Sequence, residues 1–99
     1  MTKHLDRAQK YHSRIREILM KEWDPIGVSD IPEAEDEYDS YIPHLHCQLI
    51  HHISEEEIYE ILRKIETDYM GLFGNRRITE KVAASLVRLR EQLETNEPI

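Results

Sequence analysis

What this chain lacks narrows it before anything it contains. No apolar run approaches the roughly 18 residues of a membrane span, and the opening MTKHLDRAQKYH is far too polar for a signal peptide. A single cysteine, Cys47, leaves no internal disulfide and fits a reducing cytoplasm. Three glycines and few β-branched runs argue against an all-β chain. No glycine loop of the phosphate-binding kind is present, and no Cys-x-x-Cys pair. The expectation is one cytoplasmic domain of 99 residues, large enough for a single modest core and too small for a deep interdomain cleft.

Basic residues are missing where acids are dense. Between Lys21 and Arg63 there is no Lys or Arg, and seven acids fall within residues 24–39: Asp24, Asp30, Glu33, Glu35, Asp36, Glu37 and Asp39. The other 13 acids are matched by 13 bases, so the net charge of −7 resides in this segment. The first 21 residues carry six bases against two acids. The chain is basic at its start and acidic through its middle. Phosphate contacts dominate nucleic-acid binding, so this balance speaks against a nucleic-acid partner.

Hydrophobic periodicity predicts four helices. In the first, Ala8, Tyr11, Ile15, Ile18 and Leu19 form one stripe, with Lys3, Arg7, Lys10, Arg14 and Lys21 on its flank. Trp23 closes it and Pro25 stops it, because the residue before a proline is driven out of the α region. The second runs from about Asp39 to His52, with Tyr41, Ile42, Leu45, Leu49 and Ile53 inward and Pro43 tolerated only near its start. The third opens on a capping box, Ser54 and Glu57, and buries Ile58, Ile61, Leu62, Ile65 and Tyr69 before stopping at Gly71. Leu72 and Phe73 are placed to plug the bundle end. Asn75 caps the fourth helix, whose stripe is Ile78, Val82, Leu86, Leu89 and Leu93. The tail from about residue 95 should fray.

Trp-Asp-Pro-Ile-Gly-Val closing a helix, Asp-Glu-Tyr-Asp-Ser-Tyr opening the next, and IETDYMGLFGNR before the last helix together resemble a family of small uncharacterised bacterial helical proteins. The likeness covers roughly Ile15 to Leu93. It implies a compact helical fold and carries no established activity. The segment HLHCQLIHH departs from that pattern.

Two readings of the connection between the first two helices stand side by side. In one it is a structural corner: Trp23 packs on the core, Asp24 caps backbone N–H groups, Pro25 and Gly27 set the path, and Ile26, Val28 and Ile31 pin it down. In the other it is a recognition surface for a basic protein, in which Glu35, Asp36, Glu37 and Asp39 steer the partner and Tyr38 and Tyr41 anchor it. The acids do not follow the ligand order of a calcium loop, since Gly27 precedes most of them and prolines interrupt the spacing.

His44, His46, Cys47, His51 and His52 form a second constellation. His44, Cys47 and His51 share one helix face, but a single helix rarely supplies a whole zinc site, so no metal and no cofactor is expected. His4 and His12 would contribute only if the first helix lay alongside. A thiol with helix-borne histidines does not define a catalytic triad. The sequence thus points to an all-α, four-helix domain with one long, structured acidic connection. Its expected role is non-enzymatic binding of a basic protein, in the manner of an immunity or antitoxin-type inhibitor. A structural or homodimeric module is the rival, and a metal-binding protein using the histidine cluster is a third reading.

Overall fold

The structure, a computed structural model, describes the backbone of residues 3–95 and the side chains of residues 8–94. Among these residues there are four α-helices and no strand: α1 Lys3–Ile18, α2 Ile42–Ile50, α3 Glu55–Lys64 and α4 Arg76–Thr95. The expected fraying of the tail, and the side chains of Lys3, His4 and Arg7, lie outside the described residues.

Local signals set most of the boundaries. Ser54 accepts a hydrogen bond from the Glu57 N–H at 3.1 Å while Glu57 Oε1 accepts from the Ser54 N–H at 3.0 Å, the reciprocal box that satisfies two orphan donors. Asn75 Oδ1 accepts from the Ile78 N–H at 3.1 Å and starts α4. Pro43 sits in the first turn of α2, after a 3₁₀ turn at Asp39–Tyr41, where its missing N–H costs nothing.

Two helices end by widening. Leu19–Trp23 extends α1 as a π-helical turn closed by the Asp24 N–H on the Leu19 carbonyl at 2.8 Å. Ile65–Tyr69 extends α3 in the same way, closed by the Met70 N–H on the Ile65 carbonyl at 3.0 Å. A π turn holds more residues than an α turn, so side chains beyond it leave the face that a 3.6-residue period assigns. Tyr69, expected inward, is 72% exposed, and Glu66 takes the inward place at 1%. Gly71 then stops the chain as expected, at φ 68°.

The core joins all four helices and both widened turns. Tyr11, Ile15, Ile18, Leu19 and Trp23 join Ile42, Leu45 and Leu49, together with Ile58, Leu62 and Ile65 and with Val82, Ala83, Leu86, Leu89 and Leu93, in one cluster. A radius of gyration of 13.5 Å matches the ~13 Å of a close-packed domain of this length. Besides Tyr69, further expected core placements fail. Phe73, meant to plug the bundle end, is 95% exposed, and Leu72 is only half-buried and not packed on the core. Ile78 lies roughly 80° from the centre of the buried face of α4 at 100° per residue, and Thr79 is buried instead. Ala8 is only half-buried.

Arg90 lies within the apolar face of α4 yet is nearly buried. Its guanidinium donates to the Ile53 carbonyl at 3.0 Å and, at 3.5 Å, to the Leu49 carbonyl, which also accepts the His52 N–H, so it serves the chain just past the end of α2. Its neighbour His52, left-handed at φ 59°, holds Glu94 at 2.9 Å.

The capping box gives a direct check. Ser54→Ala should cost about 1 kcal/mol, read as a lowered urea midpoint with unchanged slope. An unaltered midpoint would show that the start of α3 is held by its packing alone.

Candidate functional site

The corner begins where Pro25 ends the helical path. Asp24, the residue before it, turns left-handed at φ 34°, a conformation that Asp tolerates better than most side chains. Its carboxylate then lies back over the loop. Oδ1 accepts from the Val28 N–H and the Tyr38 hydroxyl, both at 2.8 Å, and Oδ2 accepts from the Ser29 N–H at 3.1 Å. Burial alone would raise the Asp24 pKa, but the bonds from Val28, Tyr38 and Ser29 outweigh it and hold the group below the ordinary 3.8. The sequence expected Asp24 to cap backbone donors, and it does.

Tyr38 closes the latch from the far end of the loop. Its hydroxyl also accepts the Ile26 N–H at 3.2 Å, and its ring centre lies 5.5 Å from that of Trp23. Burial, reinforced by the hydrogen bond to Asp24 and then its charge, pushes its phenol pKa well above the usual value against the opposing bond from Ile26. At 1% exposure it cannot touch a partner, so its expected role as a recognition aromatic is corrected. Ile26 and Ile31 are exposed too, and of the three residues expected to pin the loop only Val28 packs on the core. The loop is held by the Asp24–Tyr38 latch, not by those two side chains.

Beneath the latch lies a polar group that the sequence did not announce. Trp23 is buried, and its indole N–H donates to Glu66 Oε2 at 2.5 Å. Thr79 Oγ1 donates to the same oxygen at 2.6 Å. Arg63 donates to Glu66 Oε1 at 2.8 Å and to the Phe73 carbonyl at 2.7 Å. A Cβ at Gly74, itself at φ 71°, would overlap the Glu66 carboxylate and the Arg63 guanidinium. A buried indole N–H demands an acceptor. That demand was the one available signal, but helical spacing set Glu66 among the solvated positions.

Beyond the latch the backbone is a chain of tight turns. The N–H groups of Ile31, Ala34, Glu35, Glu37, Asp39 and Tyr41 each bond the carbonyl three residues back, at 3.0–3.4 Å. Glu33, Glu35, Asp36 and Glu37 project from these turns into solvent. Asp39 is different. It takes a two-pronged bond from Arg16, Nε to Oδ1 at 2.9 Å and Nη2 to Oδ2 at 2.5 Å, and that bond raises the Arg16 pKa. Of the basic flank, Arg14 and Lys21 pair instead with Glu17 on their own helix, each at 3.6 Å.

Tyr41 is half-buried, its ring edge-on to Trp23 with centres 6.4 Å apart. It forms one wall of a groove of about 430 Å³ whose apolar lining continues through Ile61, Ile65 and Tyr69. Of the six expected recognition residues, Glu35, Asp36 and Glu37 are displayed, Tyr41 borders a groove, Asp39 is engaged and Tyr38 is buried.

The histidines diverge. His44 faces the groove, His51 Nδ1 donates to the Cys47 carbonyl at 2.7 Å, and His52 goes to Glu94. Cys47, expected to be partly buried, is exposed. His46 turns away to His12 on α1, Nδ1 to Nε2 at 3.1 Å. Burial and then the charge of His12 lower the His46 pKa. Among the described residues, no group of three or more His, Cys, Asp or Glu side chains converges as a metal site. No described helix is long and apolar enough to cross a membrane.

Comparison with protein families, with curated proteins and with solved structures gives no match to this chain.

Two substitutions separate the parts of the corner. Trp23→Ala should cost roughly 3–5 kcal/mol in urea titrations, as large core truncations do. Asp24→Ala should cost about 1–3 kcal/mol, because three donors lose their acceptor. The folded Asp24 pKa is depressed, so its contribution is present above the unfolded value and lost as pH falls through the folded one. The stability gap between wild type and Asp24→Ala should therefore hold constant near neutrality and narrow below 3.8. A gap that persists undiminished in acid would assign the corner's stability to packing alone.

Proposed function

We propose that this chain is a non-enzymatic binding module that recognises a basic protein through the outward acids of its corner, Glu33, Glu35, Asp36 and Glu37. The observation that carries the reading is their mounting. Each stands on a backbone of consecutive hydrogen-bonded turns, latched at both ends by Asp24 and Tyr38, in a segment with no Lys or Arg of its own. A fixed array of like charges steers an oppositely charged partner and loses little conformational freedom on docking. Among the described residues, the base that reaches this segment, Arg16, is tied to Asp39, and no hydrogen bond compensates the four outer acids. Tyr41 and Tyr69, on either side of the neighbouring groove, supply the aromatic surface that Tyr38 does not. Small size and acidity fit a neutralising partner of the immunity or antitoxin type.

A homodimeric module is the second reading. Phe73 and Ile78 favour it: both are exposed beside a hollow of about 320 Å³ floored by Trp23 and Glu66. Sedimentation equilibrium decides it, because a monomer at all attainable concentrations removes the dimer.

The binding reading is tested by capture from a lysate of the source organism at low and high ionic strength, followed by kinetics on the captured protein. The triple substitution Glu35→Gln, Asp36→Asn, Glu37→Gln should leave the melting temperature unchanged. It should slow association by about 10-fold or more at low salt and flatten the salt dependence. Tyr41→Ala should instead speed dissociation. An association rate indifferent to the triple substitution would sink the reading.

A further inference from the structure

The histidine pair between α1 and α2 is a cluster of ligating atoms that neither the corner nor the core accounts for. We propose that His12 and His46 form a two-nitrogen binding site for a late first-row divalent cation (zinc, nickel or copper) that bridges α1 to α2. The inference is independent of the protein-binding role proposed above.

The geometry carries it. His12 Nε2 and His46 Nδ1 are 3.1 Å apart on two helices that both pack into the core. At the usual metal–imidazole distance of ~2.05 Å, that separation subtends roughly 95–100° at a shared ion, between the square-planar and tetrahedral values. The ring centres are 4.9 Å apart, with ring planes at 89°. The nitrogen separation is that of two ligands to one ion.

The surroundings are compatible with that use. Both residues are half-buried, so neither the ion nor its remaining waters must be stripped entirely of solvent. His12 opens onto a hollow of about 480 Å³ shared with Gln9, Ser13 and Arg16, which leaves room for water at the open coordination positions. Arg16 is the nearest cation on that face, and its charge is taken up by Asp39 at 2.5 Å. The Tyr11 ring lies against His46, centres 4.6 Å apart, and restricts its orientation. Two neutral imidazoles without a carboxylate select borderline cations over magnesium and calcium.

The site follows a condition set by sequence alone, since His12 joins only if α1 lies alongside α2. It does, but its partner is His46 on the inner edge of α2, and not the outward face of His44, Cys47 and His51.

Isothermal titration of the whole chain with zinc, nickel and, as control, magnesium tests the site. The expected result is saturable 1:1 binding of zinc and nickel with a matching rise in melting temperature, and none for magnesium. His12→Gln and His46→Gln should each weaken binding by at least about 10-fold, since loss of a direct ligand exceeds the ~10–100-fold cost of losing an outer partner. The combined His44→Gln, Cys47→Ser, His51→Gln variant should bind as wild type does. Electron paramagnetic resonance of the copper form should report two imidazole nitrogens in wild type and one in His12→Gln. Circular dichroism identifies any variant that fails to fold; should His46→Gln be one, His12→Gln and the copper spectrum decide. Binding that survives His12→Gln, binding lost in the triple variant, or no saturable zinc binding below the millimolar range would each overturn the proposal.

Discussion

One buried carboxylate organises the molecule. Glu66 is drawn under the corner by the widened turn that ends α3, and it meets Trp23 from α1, Arg63 from its own helix and Thr79 from α4. Removing a carboxylate from water costs several kcal/mol unless its lone pairs are taken up, so all of these donors must arrive together. That requirement fixes more than the pair. It sets the depth of Trp23, the close approach of the chain at Gly74 and the register of α4 against α3. The two π turns are the backbone's share of this arrangement, because each aims a side chain that an unbroken α-helix would point elsewhere. The corner can be long because its root does not move.

From that root the acidic segment divides its labour. Asp24 and Asp39, near its two ends, are spent inward: one accepts three donors across the loop, and the other receives Arg16. Only the middle acids remain free to face solvent. The opposition between structural corner and recognition surface therefore dissolves at the level of individual residues. The Arg16–Asp39 pair is largely exposed and adds at most about 1 kcal/mol by itself. Its larger effect is directional, since it settles which way the start of α2 faces.

Features governed by neighbours in sequence were legible before the fold was seen. The capping box at Ser54, the Asn75 cap, the Gly71 stop, the tolerance of Pro43 and the Asp24 cap all act within a few residues, and all five stand. What failed depended on helical phase or on distant partners. Tyr69 and Glu66 exchange places because a π turn intervenes, which no 3.6-residue period registers. Ile78 fails because one terminal position lies at the margin of its face. Tyr38 reads as a surface aromatic among acids until Asp24, 14 residues earlier in the chain, claims its hydroxyl. Arg90 stands within the apolar face of α4 because the Ile53 carbonyl just past the end of α2, far away in sequence, accepts from it.

These failures share a direction: each hidden residue is a polar group doing structural work, and each exposed one is apolar. Burying Glu66, Arg90 and the Tyr38 hydroxyl satisfies groups that cannot otherwise be withdrawn from water. Leaving Phe73, Tyr69 and Ile78 outside forfeits apolar burial that a small domain can ill spare. The polar interior therefore fixes geometry at some cost in core area, and what it fixes is the corner. A chain selected for stability alone would close the bundle end over Phe73 and shorten the loop. Here the loop is retained and latched at both ends, with its middle acids directed into solvent. That allocation of residues is the physical ground on which a recognition role for the acidic corner is proposed.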